Sequence, residues 1–334
     1  MHLEAILDLP EFSLPADSTS GDPYVIFAEQ RIESYIRQIS ASFGDLFTNS
    51  PPQLLNFREY VDSISKLGRG LMKVIRTNGS LMSHEAYPEF IETLKEVSTL
   101  LTSYPGAFFF IKPTDAFYRC KFDNVSTALK LKSYFFHTPF ELRTKVEATR
   151  FAQAAFPVLY LTNALICGFL ETRATDLTGF QAVKFQPKRR YTFLDLDYNK
   201  PPGWLRHTNP EEYDLQLQIK GLLYPLLLCC YSQKNSPAAA PQEYIIPQLL
   251  LRWVKDKGSF LAGIKYPSTR ISGPHYDGSF YNLILPPLEI QDFGFCESLK
   301  EMFKMTEVCG HVQAEPAITA FYGANFSPPA HVNT

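Results

Sequence analysis

Two hydrophobic rhythms divide this chain, and the point where one replaces the other limits its fold more than any other feature. From residue 24 to 104 the apolar residues recur at steps near three and four, the spacing that lines one face of a helix. In YVIFAEQRIESYIRQISASFGDLF these are Ile26, Phe27, Ile32, Tyr35, Ile36, Ile39, Phe43 and Leu46. Pro51-Pro52 interrupts, and a second helix runs through Phe57, Tyr60, Val61, Ile64, Leu67, Leu71 and Ile75 to Asn78-Gly79, a suitable C-cap. A third is expected from about Tyr87 to Leu101, after which SYPGA, residues 103 to 107, breaks the pattern.

Beyond that break the texture is short, aromatic and bounded by prolines or polar turns, as strands are: AFFFIKP, AFYRCKF, FPVLYL, QAVKFQP and RYTFLDLDY, then FLAGIKYPSTR and SFYNLILPP. KLKSYFFHTPFELRTKVEA and PEEYDLQLQIKGLLYPLLLCCYS are expected as helices between them, and NSPAAAPQEY as a Pro/Ala-rich loop. No repeat or heptad is present. The expected architecture is α+β: residues 1–105 a helical N-terminal domain or extension, residues 106–334 a mixed-sheet domain.

Composition rules out several classes. A net charge of −2 gives no global attraction to nucleic acid or to an anionic membrane, and the run Lys188-Arg189-Arg190 is read as a solvated turn. The six cysteines form no CxxC pair and sit mostly in apolar context, which suits reduced, buried thiols. MHLEAILDLPEF has no basic n-region and no apolar core, so no signal peptide is expected. The greasiest window, GLLYPLLLCCY, is 11 residues long and too short to span a bilayer. A cytoplasmic site of action follows as the expectation, although export without a signal peptide would leave the same sequence.

Cofactor signatures fail one by one. Gly68-Arg69-Gly70 follows a helix and lacks a third glycine, and no Walker A sequence or GxSxG elbow occurs. His84-Glu85 opens like a zincin helix, but Pro88 stands where the second histidine belongs, and no metal site is expected.

What remains begins with PVLYLTNALICGFLE, residues 157–171, an apolar strand, then Thr162 and Asn163 as candidate N-caps, then a buried helical turn that finishes on a lone carboxylate, Glu171. A carboxylate there must be solvated, paired or held for chemistry. Arg119 lies in the aromatic strand FYRCKF, where a buried guanidinium needs an anion. Ser268 follows Tyr266-Pro267 in GIKYPSTR, two residues before Arg270. Each alone has a bland reading: a helix-end acid, a structural ion pair, a strand hydroxyl satisfied by backbone, core tyrosines. It is the ordered combination that argues for a site.

The order Arg119, Glu171, Ser268, carried by YRCKF, RFAQAAFPVLYLTNALICGFLE, GIKYPSTR and NLILPP, resembles the RES family, over roughly residues 106 to 290. Residues 1–105 have no counterpart in compact members. The resemblance implies a fold like that of the ADP-ribosyltransferases and chemistry on NAD as substrate, with no metal. Family members are bacterial toxins that cleave NAD by hydrolysis or phosphorolysis, usually silenced by a partner antitoxin, so an antitoxin or immunity protein is an implied partner. It implies Glu171, Arg119 and Ser268 as catalytic residues, with Tyr118, Arg150, Tyr160, Tyr266 and Arg270 as contacts to the dinucleotide. Where the family often reads GRFN this chain reads TRFAQ, keeping Arg150 and Phe151 but placing Ala152 at the polar position, and a long insertion separates Glu171 from Ser268. Two other readings stand beside NAD cleavage: an ADP-ribosyltransferase acting on a macromolecule, and a catalytically inactive interaction protein. The helical segment before Pro105-Gly106 is expected as a regulatory or partner-binding unit, with a covering scaffold as its alternative.

Overall fold

A computed structural model describes residues 3–17, 23–42, 55–79, 83–103, 105–123, 128–172, 174, 177–232, 241–258, 260–268, 280–310, 314, 316 and 318. The fold is α+β. The chain divides into two compact units: one comprises residues 1–108, 148–153 and 198–253, the other 109–147, 154–197 and 254–334.

The first unit is helical. Its elements are α1 (Leu3–Leu7), α2 (Tyr24–Ala41), α3 (Phe57–Asn78), α4 (Ala86–Ser103), α6 (Gly203–Thr208), α7 (Pro210–Tyr231) and α8 (Ile245–Asp256) as far as Trp253. The expected periodicity becomes packing: Ile32, Tyr35 and Ile39 of α2 and Tyr60, Ile64, Leu67, Leu71 and Ile75 of α3 are buried. The Asn56 side chain caps α3 by accepting from the Glu59 N–H, and the Gly79 N–H closes the other end on the Ile75 carbonyl. Phe43 and Leu46 lie outside the described residues.

The centre of this unit is α7, whose residues from Gly221 to Tyr231 are buried on every side. Pro225 within it has no N–H for the Gly221 carbonyl four residues back. The Tyr35 hydroxyl of α2 donates to that freed carbonyl at 3.0 Å, and the Tyr60 hydroxyl of α3 donates to the Gln218 carbonyl at 2.9 Å. Gly221 leaves the room they need, since a Cβ there would collide with the Tyr60 hydroxyl. The division does not fall at one point near residue 105, because residues 198–253 pack with the N-terminal helices. Those helices form the wall around α7, and Leu67 and Leu71 are buried within this unit.

The second unit is built on an eight-stranded mixed sheet in the order β1-β5-β6-β7-β3-β2-β4-β8. The strands are β1 (Phe108–Ile111), β2 (Phe117–Phe122), β3 (Leu159–Thr162), β4 (Phe180–Pro187), β5 (Tyr191–Asp195), β6 (Gly263–Pro267), β7 (Tyr281–Leu285) and β8 (Phe303–Met305). β5 runs parallel to β6, while the β6–β7, β7–β3, β3–β2, β2–β4 and β4–β8 pairs are antiparallel. One face buries Phe117, Leu159, Leu161, Val183, Phe185 and Leu283 beneath Phe135, Phe136 and Phe140. The segment carrying those last three is not the expected helix but two 3-10 turns, Lys132–Phe135 and Phe140–Lys145, with Pro139 between them. A 3-10 turn lets consecutive rings enter one core, which an α-helix face does not. The opposite face is covered by α5 (Leu165–Glu171) through Ile166 and Phe169. The helix sits close because Gly168 has no Cβ to meet the Cys120 thiol on β2. Lys188, Arg189 and Arg190 are exposed on the turn between β4 and β5, the solvated reading expected of them. A last helix, α9 (Glu297–Met302), leads into β8.

Candidate active site

Glu171 is the final residue of α5, a helix too short and too apolar to place its end anywhere but over the sheet. Its N-terminus departs from expectation. Thr162 remains in β3, Ala164 occupies the N-cap position, and the Asn163 side chain instead accepts from the Tyr281 N–H at 2.9 Å, tying the helix start to β7.

The carboxylate is exposed, yet one oxygen is fixed. Oε1 accepts from the Ser268 hydroxyl at 2.8 Å and from Asn282 Nδ2 at 2.8 Å, while Oε2 has no hydrogen-bond partner among the described residues. Both donors are buried. The Ser268 N–H donates to the Phe280 carbonyl at 3.1 Å, holding the serine against the start of β7. Asn282 is oriented from its other side by the Cys167 thiol, whose Sγ lies 3.6 Å from Oδ1. Burial, with the Glu171 charge nearby, pushes that thiol up to about 12 against hydrogen bonds from Thr162 and Ser268, so it stays protonated and able to donate. Thiol to amide oxygen, amide N–H to carboxylate and hydroxyl to carboxylate leave Asn282 one consistent orientation.

Strand register supplies the floor. Tyr118 pairs with Thr162, Thr162 with Asn282, and Asn282 with Tyr266, so these four side chains form a row across β2, β3, β7 and β6 on one face. Tyr160 lies two residues from Thr162 on that same face. Tyr118, Tyr160 and Tyr266 are each half-buried, as rings offered to a ligand would be.

Arg119 stands apart from the Glu171–Ser268 pair. β2 is paired with β4 over six positions but with β3 only at Tyr118 opposite Thr162, so the β2–β3 ladder ends there and the strands fork. Arg119 Nη1 reaches across this fork to donate to the Tyr160 carbonyl at 3.1 Å, and its guanidinium carbon is 5.9 Å from the Tyr160 ring centroid. Its Nε is buried with no hydrogen-bond partner, and no described carboxylate pairs with it. Burial lowers its pKa, offset in part by Tyr160 and Cys120. A guanidinium stays charged under such a load. A half-buried cation with a buried, unpartnered Nε is an unmet polar demand among the described residues of this unit.

Of the two remaining candidates, only Arg150 has a described placement, and its hydrogen bonds lie elsewhere. Arg150 belongs to the helical unit, where its Nη1 donates to the Cys230 and Ser232 carbonyls, at 2.8 Å each. Arg270 lies outside the described residues. Asn282 went unremarked in the sequence, though its signal was there: one amide in the apolar strand YNLIL must find buried partners.

The sequence profile of the RES domain matches residues 123–294, just over half of the chain. The chain belongs to the RES family. The matched region contains Glu171, Ser268 and Asn282, begins just past Arg119, and includes α6, α7 and α8 of the helical unit. A curated protein of Bacillus subtilis (strain 168), named "Putative toxin YopC", is 25% identical over 313 residues, covering 88% of this chain and 67% of that protein. No solved structure matches. Among the described residues no group of His, Cys, Asp and Glu is arranged to hold a metal ion, and no helix is long and apolar enough to cross a membrane.

Proposed function

We propose that this RES-family chain cleaves the nicotinamide–ribose bond of NAD, by hydrolysis or phosphorolysis. The observation that carries the reading is Glu171: an exposed residue whose carboxylate has one oxygen held by two buried donors and the other without a hydrogen-bond partner among the described residues. In the reaction the C1′–N bond breaks with its electron pair leaving on the nicotinamide nitrogen, and positive charge builds on the ribose carbon. The free Oε2 is suited to stabilise that charge, because Ser268 and Asn282 have already fixed the group and it need not reorganise. A water oxygen then bonds to C1′ and loses a proton to solvent, or an unprotonated phosphate oxygen bonds to C1′ with no proton to lose.

The chain's residues also fit the rest of the dinucleotide. Arg119 lacks the anion that a buried guanidinium requires, and a diphosphate provides one. The half-buried Tyr118, Tyr160 and Tyr266 offer ring faces to nicotinamide or adenine. The toxin name of the Bacillus subtilis relative is in keeping with a chain that depletes a central metabolite, and a neutralising antitoxin remains the partner such an activity would require.

Purified chain incubated with NAD, with and without phosphate, and product identification by mass spectrometry tests this directly. Free nicotinamide with ADP-ribose marks hydrolysis; nicotinamide with a phosphorylated ADP-ribose marks phosphorolysis. Glu171→Gln keeps the side-chain volume and removes the charge, so it should melt normally and lose at least ~100-fold in rate. Full turnover by a folded Gln variant would rule the carboxylate out.

A further inference from the structure

Arg119 is not the only cation at the fork. Lys121 lies two residues along β2, so the two side chains leave the strand on the same face, with Cα atoms about 7 Å apart. Lys121 has no ion-pair partner among the described residues; its Nζ rests 4.9 Å from the Tyr134 ring centroid. The side chain is half-buried, and Tyr134 above it is exposed. Burial first, and the Arg119 charge second, bring its pKa down to about 8. The strand on the other side gives it nothing to neutralise. Its β4 neighbour is Gln181, whose amide is spent on the Ala128 carbonyl and the Lys130 N–H. The nearby lysines of the overlying segment are paired already, Lys130 with Asp123 at 2.8 Å and Lys132 with Glu307 at 2.9 Å.

Two adjacent, half-buried cations of one strand, neither matched by a described carboxylate, repel each other and lack counter-charge. A folded chain tolerates that where a ligand brings two negative charges at similar spacing. We propose that Arg119 and Lys121 form a two-point clamp for a diphosphate, each cation taking one phosphate. The guanidinium provides planar directional bonds and the ammonium a point charge. Taking the diphosphate to be that of a dinucleotide rests on the function proposed above; free pyrophosphate has the same chemistry.

Calorimetric titration of the full chain with ADP-ribose, inorganic pyrophosphate and adenosine separates these. Lys121→Gln should weaken ADP-ribose and pyrophosphate by about 10- to 100-fold, the loss of one charge-assisted hydrogen bond. Adenosine binding should not change. The variant should melt no lower than the parent without ligand, since it removes a repulsion. Lys121 must be protonated to hold a phosphate, so ADP-ribose affinity should be full below pH 8 and fall as pH rises past it. Lys121→Arg should bind well and abolish that fall. Wild-type affinity for both diphosphates in Lys121→Gln, or an unchanged alkaline fall in Lys121→Arg, overturns the clamp. Equal affinity for pyrophosphate and ADP-ribose keeps the clamp and overturns the dinucleotide as its occupant. A chain that consumes NAD while ignoring Lys121 removes this inference alone; one that binds pyrophosphate through Lys121 but never consumes NAD removes only the proposed cleavage.

Discussion

Arg119 and Arg150 have nearly the same surroundings by any coarse measure. Each is half-buried, and each guanidinium carbon lies near a tyrosine ring, at 5.9 Å from Tyr160 and 5.8 Å from Tyr244. Their polar atoms tell them apart. Arg150 sits at the C-terminal end of α7, where a helix leaves carbonyls without partners, and donates there to Cys230 and Ser232 at 2.8 Å each. Arg119 sits where two strands part and, among the described residues, makes one hydrogen bond, at 3.1 Å, and keeps a buried Nε without an acceptor. The first arginine is satisfied within its own unit; the second has a buried donor without a partner among the described residues. Two glutamates of the sheet unit repeat the contrast. Glu289 accepts from the Ser298 N–H and hydroxyl and from the Cys296 thiol. Burial pushes its carboxyl up, but those donors outweigh it and take the group down to about 2. Glu171 has two donors on one oxygen and, among the described residues, none on the other.

The largest effect that would test this division concerns the helical unit as a whole. A chain beginning near residue 105 loses α1 to α4, and with them the hydroxyls of Tyr35 and Tyr60 that serve the carbonyls of α7. It should aggregate rather than fold, because α7 is apolar and buried on all sides from Gly221 to Tyr231. A soluble, monomeric truncated chain seen by gel filtration would make the N-terminal helices separable after all.

Next comes the arginine pair itself. Arg119→Ala should lose NAD or ADP-ribose affinity by about 100-fold or more, with a melting temperature close to the parent, and Arg119→Lys should recover little of it for want of the planar fork. Arg150→Ala should do the opposite, losing about 2–3 kcal/mol of stability from two buried carbonyls left unpaired while keeping ligand affinity. Calorimetry and thermal melting of both variants decide it. If Arg119→Ala destabilises and Arg150→Ala weakens binding, the two roles are reversed.

The smallest effect belongs to Glu289. Glu289→Gln should cost about 1–2 kcal/mol and leave NAD turnover unchanged. Since the folded-state pKa is depressed, the carboxylate's contribution is complete above the unfolded value near 4.5 and is lost as pH falls toward 2. Parent and variant stabilities should therefore converge over that window. A constant difference down to pH 2 would assign the loss to packing instead.

Much of this was legible in residues close together in the chain. Helical spacing from residue 24 onward, the Asn78-Gly79 stop and the short aromatic strands all follow from contacts within a few residues, and the structure has those elements. The order Arg119, Glu171, Ser268 marked the RES family for the same reason, since a motif is local text. Where local text misled, a distant partner had taken over. Asn163 was expected to cap α5 but serves the Tyr281 N–H 118 residues away. The segment around Pro139 had helical texture but broke into 3-10 turns to put Phe135, Phe136 and Phe140 into one core.

By itself, then, the sequence determined the α+β class and the family, because periodicity and motif are properties of neighbouring residues. Only the tertiary structure decided what each charged group does. Asn282 joins Glu171 across 111 residues, and Ser268 across 97, because β7 lies between β3 and β6. Arg150 is spent on the end of α7, and residues 198–253 join the N-terminal helices, because the apolar half of α7, Gly221 to Tyr231, must be covered on every side. Hydrogen-bond satisfaction is a sum over everything a side chain touches, and most of what these side chains touch lies far away in the chain.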